Sequence, residues 1–392
     1  MASVLYCLLD GYGDVACKTL GGKTPLAYSE NPFLDSLNGG GKCGFLEPAG
    51  LGRDVPISDA SVMTFSFLGY DVRSFPHGRG MIEAAGAGLK NRDGDFVARC
   101  NFATLDGEGR VTDMRAGRIR ETKELERALN GIDLGVDFEF KATTGYRGLL
   151  WIKGGTYSAK ISDVDPHEVG KKIMVAKPLA PEARETAEVL NAFVQKARVA
   201  LGETKTNEER GKKGLPVANA VLPRGFSVQV PKLEPFAKKF GIKPVAVTGI
   251  AVNVGICRLL GIPVIAVPED VGDYAKEMEL KKEPVLKALD GYDFVFVHFK
   301  TIDLAGHDAK PLAKAAEIER TDAFLSSLEF DGVHALGADH CTRSGEGKHS
   351  ADLIPYLLSK KKTAPRKFSE ESCAKGKKLM QFDFVSEAIT LV

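Results

Sequence analysis

Tyr292-Asp-Phe-Val-Phe-Val-His-Phe-Lys-Thr-Ile-Asp-Leu-Ala-Gly-His-Asp308 is the most informative run in the chain. From Phe294 to Phe299 it is an almost unbroken series of β-branched and aromatic residues, which suits a strand buried on both faces of a parallel sheet. Polar residues begin where the strand should end. Asp303 and His307 come next, separated by Leu-Ala-Gly, and open α/β sheets bind ligands just outside the carboxyl ends of their strands. A carboxylate and an imidazole at such a place are candidate metal ligands; taken alone, the two also read as a hydrogen-bonded loop pair.

The arrangement recurs. Ser3 to Leu9 reads as a first strand and ends on Asp10, followed by Gly11-Tyr12-Gly13-Asp14. Gly332 to Leu336 reads as a weaker strand leading into Gly337-Ala338-Asp339-His340, with His349 shortly after. Between them, Ser58-Asp59 follows a proline turn and precedes apolar Val62, Phe65 and Leu68, a pattern that predicts a helix start. Ser58 is then either an N-cap or a nucleophile at a helix amino terminus that favours an incoming phosphate. Together Asp10, Asp303, His307, Asp339, His340, His349 and Ser58 include three of the seven histidines. Carboxylate and imidazole ligands without thiolate suit two divalent ions ~3.5–4 Å apart, a pair that activates a serine hydroxyl and holds the oxygens of a phosphoryl group.

The remaining sequence narrows the class. A chain of 392 residues exceeds one ordinary domain, and 53 Lys plus Arg against 52 Asp plus Glu leave no field to draw it to nucleic acid or a membrane. Small molecules are the expected partners. Seven scattered cysteines without a Cys-x-x-Cys pair fit reduced thiols in a cytoplasmic protein. Val4 to Leu9 has no basic lead and runs into Asp10, so a strand is expected there rather than a signal peptide or a membrane span. Gly21-Gly22-Lys23-Thr24 and Gly40-Gly41-Lys42 lack the upstream glycine of a phosphate loop, Cys17 and Ser36 standing in its place. Pro76-His77-Gly78-Arg79-Gly80 frames an arginine suited to an anion.

From about Asn91 to Asp165 short alternating segments, such as Asp137 to Ala142 and Gly148 to Lys153, suggest a small α+β insertion with one helix near Thr122 to Leu129. Pro181 to Leu201 has the spacing of a surface helix, and the charged stretch Glu203 to Lys213 reads as a solvated loop. The α/β pattern resumes with strands at Val245 to Thr248 and Pro263 to Val267, and helices at Ala251 to Leu260 and Pro311 to Leu328. The basic run Lys360 to Lys362 with Arg366 and Lys367 reads as an exposed loop.

Taken in order, Asp10 to Asp14, Gly22 to Leu26, Ser58-Asp59 with Leu68 to Asp71, Gly78-Arg79-Gly80 with Glu83-Ala84, Arg99 to Thr104, Arg115 to Ile119, Asp165 to Gly170, Asp303 to Asp308 and Ala338-Asp339-His340 resemble the archaeal-type cofactor-independent phosphoglycerate mutases of the alkaline phosphatase superfamily. The resemblance covers nearly the whole chain. It implies an α/β fold: a core with a mainly parallel sheet covered by helices on both faces, expected over 1–90 and 171–392, with an inserted substrate-binding lid over 91–170.

It further implies that Asp10, Ser58, Asp339 and His340 hold one divalent ion and Asp303, His307 and His349 the other, Mn²⁺ first, with Zn²⁺, Co²⁺ or Mg²⁺ as alternatives. Ser58 would take the phosphoryl group of 3-phosphoglycerate and return it to the 2-hydroxyl, without 2,3-bisphosphoglycerate. Arg147 is expected to bind the glycerate carboxylate, Arg79 and His167 to line the substrate side, and Asp163 or Asp165 to act as base, although both carboxylates also read as turn formers. The chain departs from the family pattern at Ile57, Val62, Met81-Ile82 and Tyr146, which bears on rate and substrate rather than on phosphoryl chemistry. The alternatives are a metal-dependent phosphohydrolase or a phosphomutase of another small metabolite, and a catalytically weak paralogue. Oligomeric state is left open.

Overall fold

The computed structural model of the chain describes residues 3–74, 78–90, 92–268 and 272–392, with the side chains of Ser58 and Ser74 outside the description, as are Pro76 and His77. The chain divides into two compact units, Met1–Phe75 with Leu233–Val392, and Pro76–Lys232. In chain order the first unit begins with strands β1 (Val4–Leu9) and β2 (Lys42–Glu47). The second supplies β3 (Phe96–Leu105), β4 (Val111–Asp113), β5 (Phe138–Ala142), β6 (Arg147–Ile152) and β7 (Ala220–Ser227). The first then resumes with β8 (Pro244–Val247), β9 (Val264–Ile265), β10 (Phe294–Phe299) and β11 (Val333–Gly337). It closes with β12 (Cys341–Arg343), β13 (Lys348–Ser350), β14 (Ile354–Ser359) and β15 (Lys377–Met380).

The first unit is built on an eight-stranded sheet in the order β15-β2-β14-β11-β1-β10-β8-β9. It is mostly parallel, β14 running antiparallel to both its neighbours. Every residue of β1 and of β10 is buried, so both faces of the sheet centre are covered. β1 pairs in parallel with β10 on one side, Leu9 opposite Phe299, and with β11 on the other, Leu8 opposite Gly337. That register brings the residues after all three strands to one edge. Asp10, the 300–303 segment and the 338–340 segment share it for a purely geometric reason.

The second unit is an antiparallel sheet in which the long β3 pairs with β6 and β7 and, at its end, with β4, while β5 flanks β6. Phe96, Phe102, Phe140 and Phe193 fill its core. The unit is wider than the insertion expected over 91–170. The Arg184–Gly202 helix puts Ala187, Leu190, Phe193, Val194, Ala197 and Leu201 into this core, and β7 completes the sheet, so both belong to it. The 203–213 stretch, expected as a solvated loop, contains a helix at Lys205–Lys212. Its first N–H groups are capped from a distance: Lys205 N and Thr206 N donate to Glu124, and Asn207 is buried on Leu201 and Ala218. No local pattern announces a cap supplied eighty positions upstream.

Candidate active site

Asp303 and His307 do not sit in a loop. They lie on the helix Thr301–His307, four residues apart and therefore on one face, with His307 Nε2 3.5 Å from Asp303 Oδ2. His349 comes from the β12–β13 hairpin and places its Nε2 3.5 Å from Asp303 Oδ1 and 2.8 Å from His307 Nε2. His307 Nδ1 is 2.9 Å from the Gly347 carbonyl, which as an acceptor fixes the proton on Nδ1 and leaves Nε2 with a lone pair facing inward. Asp303, His307 and His349 thus converge as one group that could hold a metal ion, and Asp10, Asp303 and His340 as a second.

Asp10, at the end of β1, is buried with His298 Nε2 and Lys300 Nζ each 2.9 Å from its Oδ2. Its Oδ1 is buried without a well-formed hydrogen bond among the described residues, His340 Nε2 standing 3.3 Å away. Asp339 Oδ2 lies 3.6 Å from His340 Nε2. Asp303 also falls in one group with Asp10 and His340, so one carboxylate is shared between the two groups. Gly11, at φ +65°, lets the chain pass here: a Cβ on it would stand 2.5 Å from Thr342 Oγ1 and 2.6 Å from Asp303 Oδ1.

The electrostatics are those of a cation site. Three carboxylates, Asp10, Asp303 and Asp339, are buried within this small volume. Burial is the largest single effect and opposes ionisation of Asp303, but Lys300, 2.6 Å away, together with His349, His340 and His307 holds the carboxyl well below its usual range. Burial and then the Asp10 charge push Asp339 up to about 6. Burial works against a charged His340, yet Asp339 and Asp10 raise it to about 9. A buried lone oxygen, converging imidazole nitrogens and excess carboxylate, with no thiolate among the ligand atoms, fit a divalent ion.

Supporting groups hold the frame. Lys314, fully buried, donates to Gly13 O, Asp14 Oδ2 and Thr342 O, tying the loop after β1 to β12. Thr342 Oγ1 donates to Asp303 Oδ1 at 2.5 Å, and Gln381 Nε2 to the carbonyls of Ala338 and Asp339. Sequence patterns did not single out Lys300, His298, Lys314 or Gln381. Lys300 lies just past the apolar run of β10, where a lysine close to a strand-end carboxylate was the available signal. Ser58 falls in a 3₁₀ helix, Ile57–Val62, that leads into the helix Met63–Phe67; it is inside the first turn rather than at the N-cap, which is Pro56. Phe65 and Leu68 face the core as expected, while Val62 is half-buried.

The second unit gathers a different set. Glu83 is buried, with Arg79 NH2 2.9 Å and Arg99 Nε 3.2 Å from its Oε1. Burial would raise the Glu83 carboxyl, but Arg99, Arg79, Arg147 and Arg224 together hold it below its usual range. Arg224 NH1 pairs with the fully buried Asp165 at 2.9 Å and lies 3.2 Å from His167 Nδ1. His167 Nε2 is 3.0 Å from Asp163, and the His167 backbone N–H donates to Asp165. His167 has φ 56°, a left-handed turn that the Asp165 bond to its backbone N–H supports. Arg147 stacks its guanidinium over the Tyr146 ring.

Arg79, Arg147, Asp163, Asp165 and His167, each expected on the substrate side, are thus brought into one cluster. Arg99 and Arg224 join it without having been assigned a role, because each lies on a strand where only pairing reveals the neighbour: Arg99 is opposite Arg224 between β3 and β7. Four guanidinium groups against two buried carboxylates leave an excess of positive charge suited to a small dianion or trianion.

Comparison with known proteins bears on the family of the whole chain. Residues 39–207 match the model of the family described as 2,3-bisphosphoglycerate-independent phosphoglycerate mutase. A Methanopyrus kandleri protein of that name is 39% identical over 95% of this chain and 92% of its own length, and one from Methanocaldococcus jannaschii 38% over 94% and 92%. A solved Pyrococcus horikoshii protein superposes with a TM-score of 0.82 at 29% identity, covering 100% of this chain and 97% of its own. The cofactor-independent phosphoglycerate mutase of Thermoplasma acidophilum superposes at 0.66, also at 29% identity and over the full length of both. With relatives this similar over more than nine-tenths of both chains, the chain belongs to the 2,3-bisphosphoglycerate-independent phosphoglycerate mutase family.

Proposed function

We propose that this protein interconverts 3-phosphoglycerate and 2-phosphoglycerate by way of a phosphoserine, as a cytoplasmic step of glycolysis and gluconeogenesis. The observation that supports this most directly is the convergence of Asp303, His307 and His349, and of Asp10, Asp303 and His340, at the carboxyl edge of the sheet. Asp303, His307 and His349 would hold one divalent ion and Asp10, His340, Asp339 and Ser58 the other, with Mn²⁺ the preferred metal. When bound, such ions lower the pKa of a hydroxyl and neutralise phosphoryl oxygens.

Ser58 Oγ gives up its proton and attacks the phosphorus, and the glycerate 3-oxygen leaves and is protonated; the 2-hydroxyl then gives up its proton and attacks the phosphoserine, and Ser58 Oγ leaves. Lys300, held protonated by Asp10 and Asp303 despite burial, stays a fixed cation beside the ligands. Arg79, Arg99, Arg147 and Arg224 hold the carboxylate and the phosphate of the substrate, and the Asp163–Asp165–His167 group manages the proton of the receiving hydroxyl. The second unit acts as a lid that keeps glycerate in and water out while it turns, since a phosphoserine open to water would hydrolyse.

The test is ³¹P NMR of 3-phosphoglycerate with metal-loaded enzyme and no bisphosphoglycerate. Growth of the 2-phosphoglycerate signal without inorganic phosphate is expected. Inorganic phosphate alone would make the protein a hydrolase, and an unchanged spectrum would remove phosphoglycerate as substrate.

A further inference from the structure

Away from the carboxylate and imidazole groups, the first unit carries a second concavity. A cavity of about 580 Å³ opens between β2, β14 and the segment around the short helix Glu370–Cys373. Lys42, Arg366, Lys367, Lys375 and Lys377 line it together with Cys43. Its two carboxylates are already matched, Glu371 to Lys375 at 3.2 Å and Glu387 to Lys377 at 2.5 Å. Arg366 spends its hydrogen bonds on the neutral Asn38, and Lys367 donates to Ser29 O with Asp35 3.9 Å away. The balance of charge at the wall is positive.

One thiol, Cys43, lines this wall, and a second, Cys373, lies buried behind it next to the lining residue Ser372. β14 lies beside β2 with Tyr356 opposite Gly44 and Leu357 opposite Cys43, and Cys373 Sγ points at the Tyr356 carbonyl at 4.0 Å. The Cys43 thiol donates to Ser372 Oγ at 3.7 Å, and the Cys43 and Cys373 side chains lie within hydrogen-bonding reach of each other. The turn after that helix is pressed so close to β2 that a Cβ on Gly376 would overlap the Cys43 carbonyl oxygen. The Cys373 hydrogen bond, despite burial and with help from Ser372 and Arg366, lowers the Cys43 thiol to about 6, while Cys373 is pushed far up. Burial also pushes up the thiols of Cys7, Cys100, Cys257 and Cys341. A thiolate with cations around it and a second thiol in contact is the arrangement of an exchange-competent pair.

We propose that Cys43 and Cys373 form a thiol–disulfide exchange site on the wall of this cationic cavity, with a small anionic disulfide as its reactant. The Cys43 thiolate attacks one sulfur of the reactant; the reactant's S–S bond breaks and its other half leaves as a thiolate. Cys373 gives its proton to solvent and attacks the Cys43 sulfur, so the mixed disulfide breaks and the second half leaves as a thiolate. Two protein thiols are oxidised to one Cys43–Cys373 bond and one small disulfide is reduced to two thiols.

The experiment uses the full chain with Cys17→Ser, to remove the half-exposed thiol, and the dianionic reagent 5,5′-dithiobis(2-nitrobenzoate) at pH 7. Two thionitrobenzoate ions per chain should be released, ending in a Cys43–Cys373 cross-linked peptide by non-reducing mass spectrometry. The rate should fall as pH is lowered from 7 to 5. Adding Cys373→Ser should release one ion and leave the reagent on Cys43; adding Lys42→Glu with Lys375→Glu should slow the reaction about fivefold while leaving that of the uncharged 4,4′-dithiodipyridine unchanged. An unreactive native Cys43, a label found on other cysteines instead, or equal slowing with both reagents would overturn the proposal. The native chain's own reactivity is the readout, so a variant that fails to fold does not shelter it.

Discussion

The two clusters of the molecule solve opposite electrostatic problems with opposite architectures. In the first unit three buried carboxylates crowd around imidazoles at the edge of a parallel sheet, an arrangement suited to cations. In the second, four arginines share Glu83 and Asp165 over an antiparallel sheet, an arrangement suited to an anion. The first set is held by backbone: strand ends in register and one helical turn. The second is held by its own charges, Glu83 standing at the centre of guanidinium groups drawn from several elements. A backbone-built site should lose function without losing its fold, and a charge-built site should lose both together.

The sharpest test of that contrast is Asp303→Ala, which removes the carboxylate common to both ligand groups. Activity should fall on the order of 10³-fold or more, with bound metal lost by elemental analysis and little change in melting temperature. Retention of full metal content would break the assignment. In the second unit, Glu83→Gln should instead destabilise, by about 3 kcal/mol, because it leaves buried guanidinium groups without their counter-charge. Thermal unfolding should show it, with metal content unchanged; an unaltered melting temperature would place the cluster's stability elsewhere.

A smaller effect separates the two candidate bases. Asp165 is fully buried and holds Arg224, whereas Asp163 is part-exposed and touches His167. Asp165→Asn should therefore lower kcat/KM about tenfold more than Asp163→Asn, since it removes both a carboxylate and the anchor of an arginine. A larger loss with Asp163→Asn would assign the work to Asp163. The smallest effect expected concerns pH. The hydrogen bond to Asp163 raises His167 above its ordinary value against a smaller opposing effect of burial. Its charged form is thus favoured in the fold, and the contribution is present below the usual histidine range and lost as pH rises through the raised value. KM for phosphoglycerate should climb over that window, and His167→Gln should flatten the climb; an unchanged profile would take His167 out of anion binding.

Much of the first cluster was legible in the chain because a parallel sheet writes itself as apolar runs, and the polar residues after each run land at one edge. Asp10, Asp303 and Asp339 with His340 were readable for that reason. Their local geometry was not: Thr301–His307 reads as a loop because Gly306 and β-branched residues argue against a helix, and only packing on its neighbours overrides them. The division between units was also less legible than the elements. The Arg184–Gly202 helix was predicted by its apolar stripe, but a stripe does not say which core it enters.

By itself, then, the order of residues determined the strands, the apolar faces and which polar residues end a strand, since these depend on side-chain type and spacing along a few neighbours. Only the tertiary structure decided that Asp303 lies in both candidate groups, that Lys314 is buried and Lys300 half-buried between two carboxylates, that Glu124 caps a helix eighty residues away, and that Arg99 and Arg224 are partners across a sheet. The physical reason is range. Hydrophobic periodicity is a local property of the chain, whereas charge compensation depends on distances of a few ångströms that strand register alone creates.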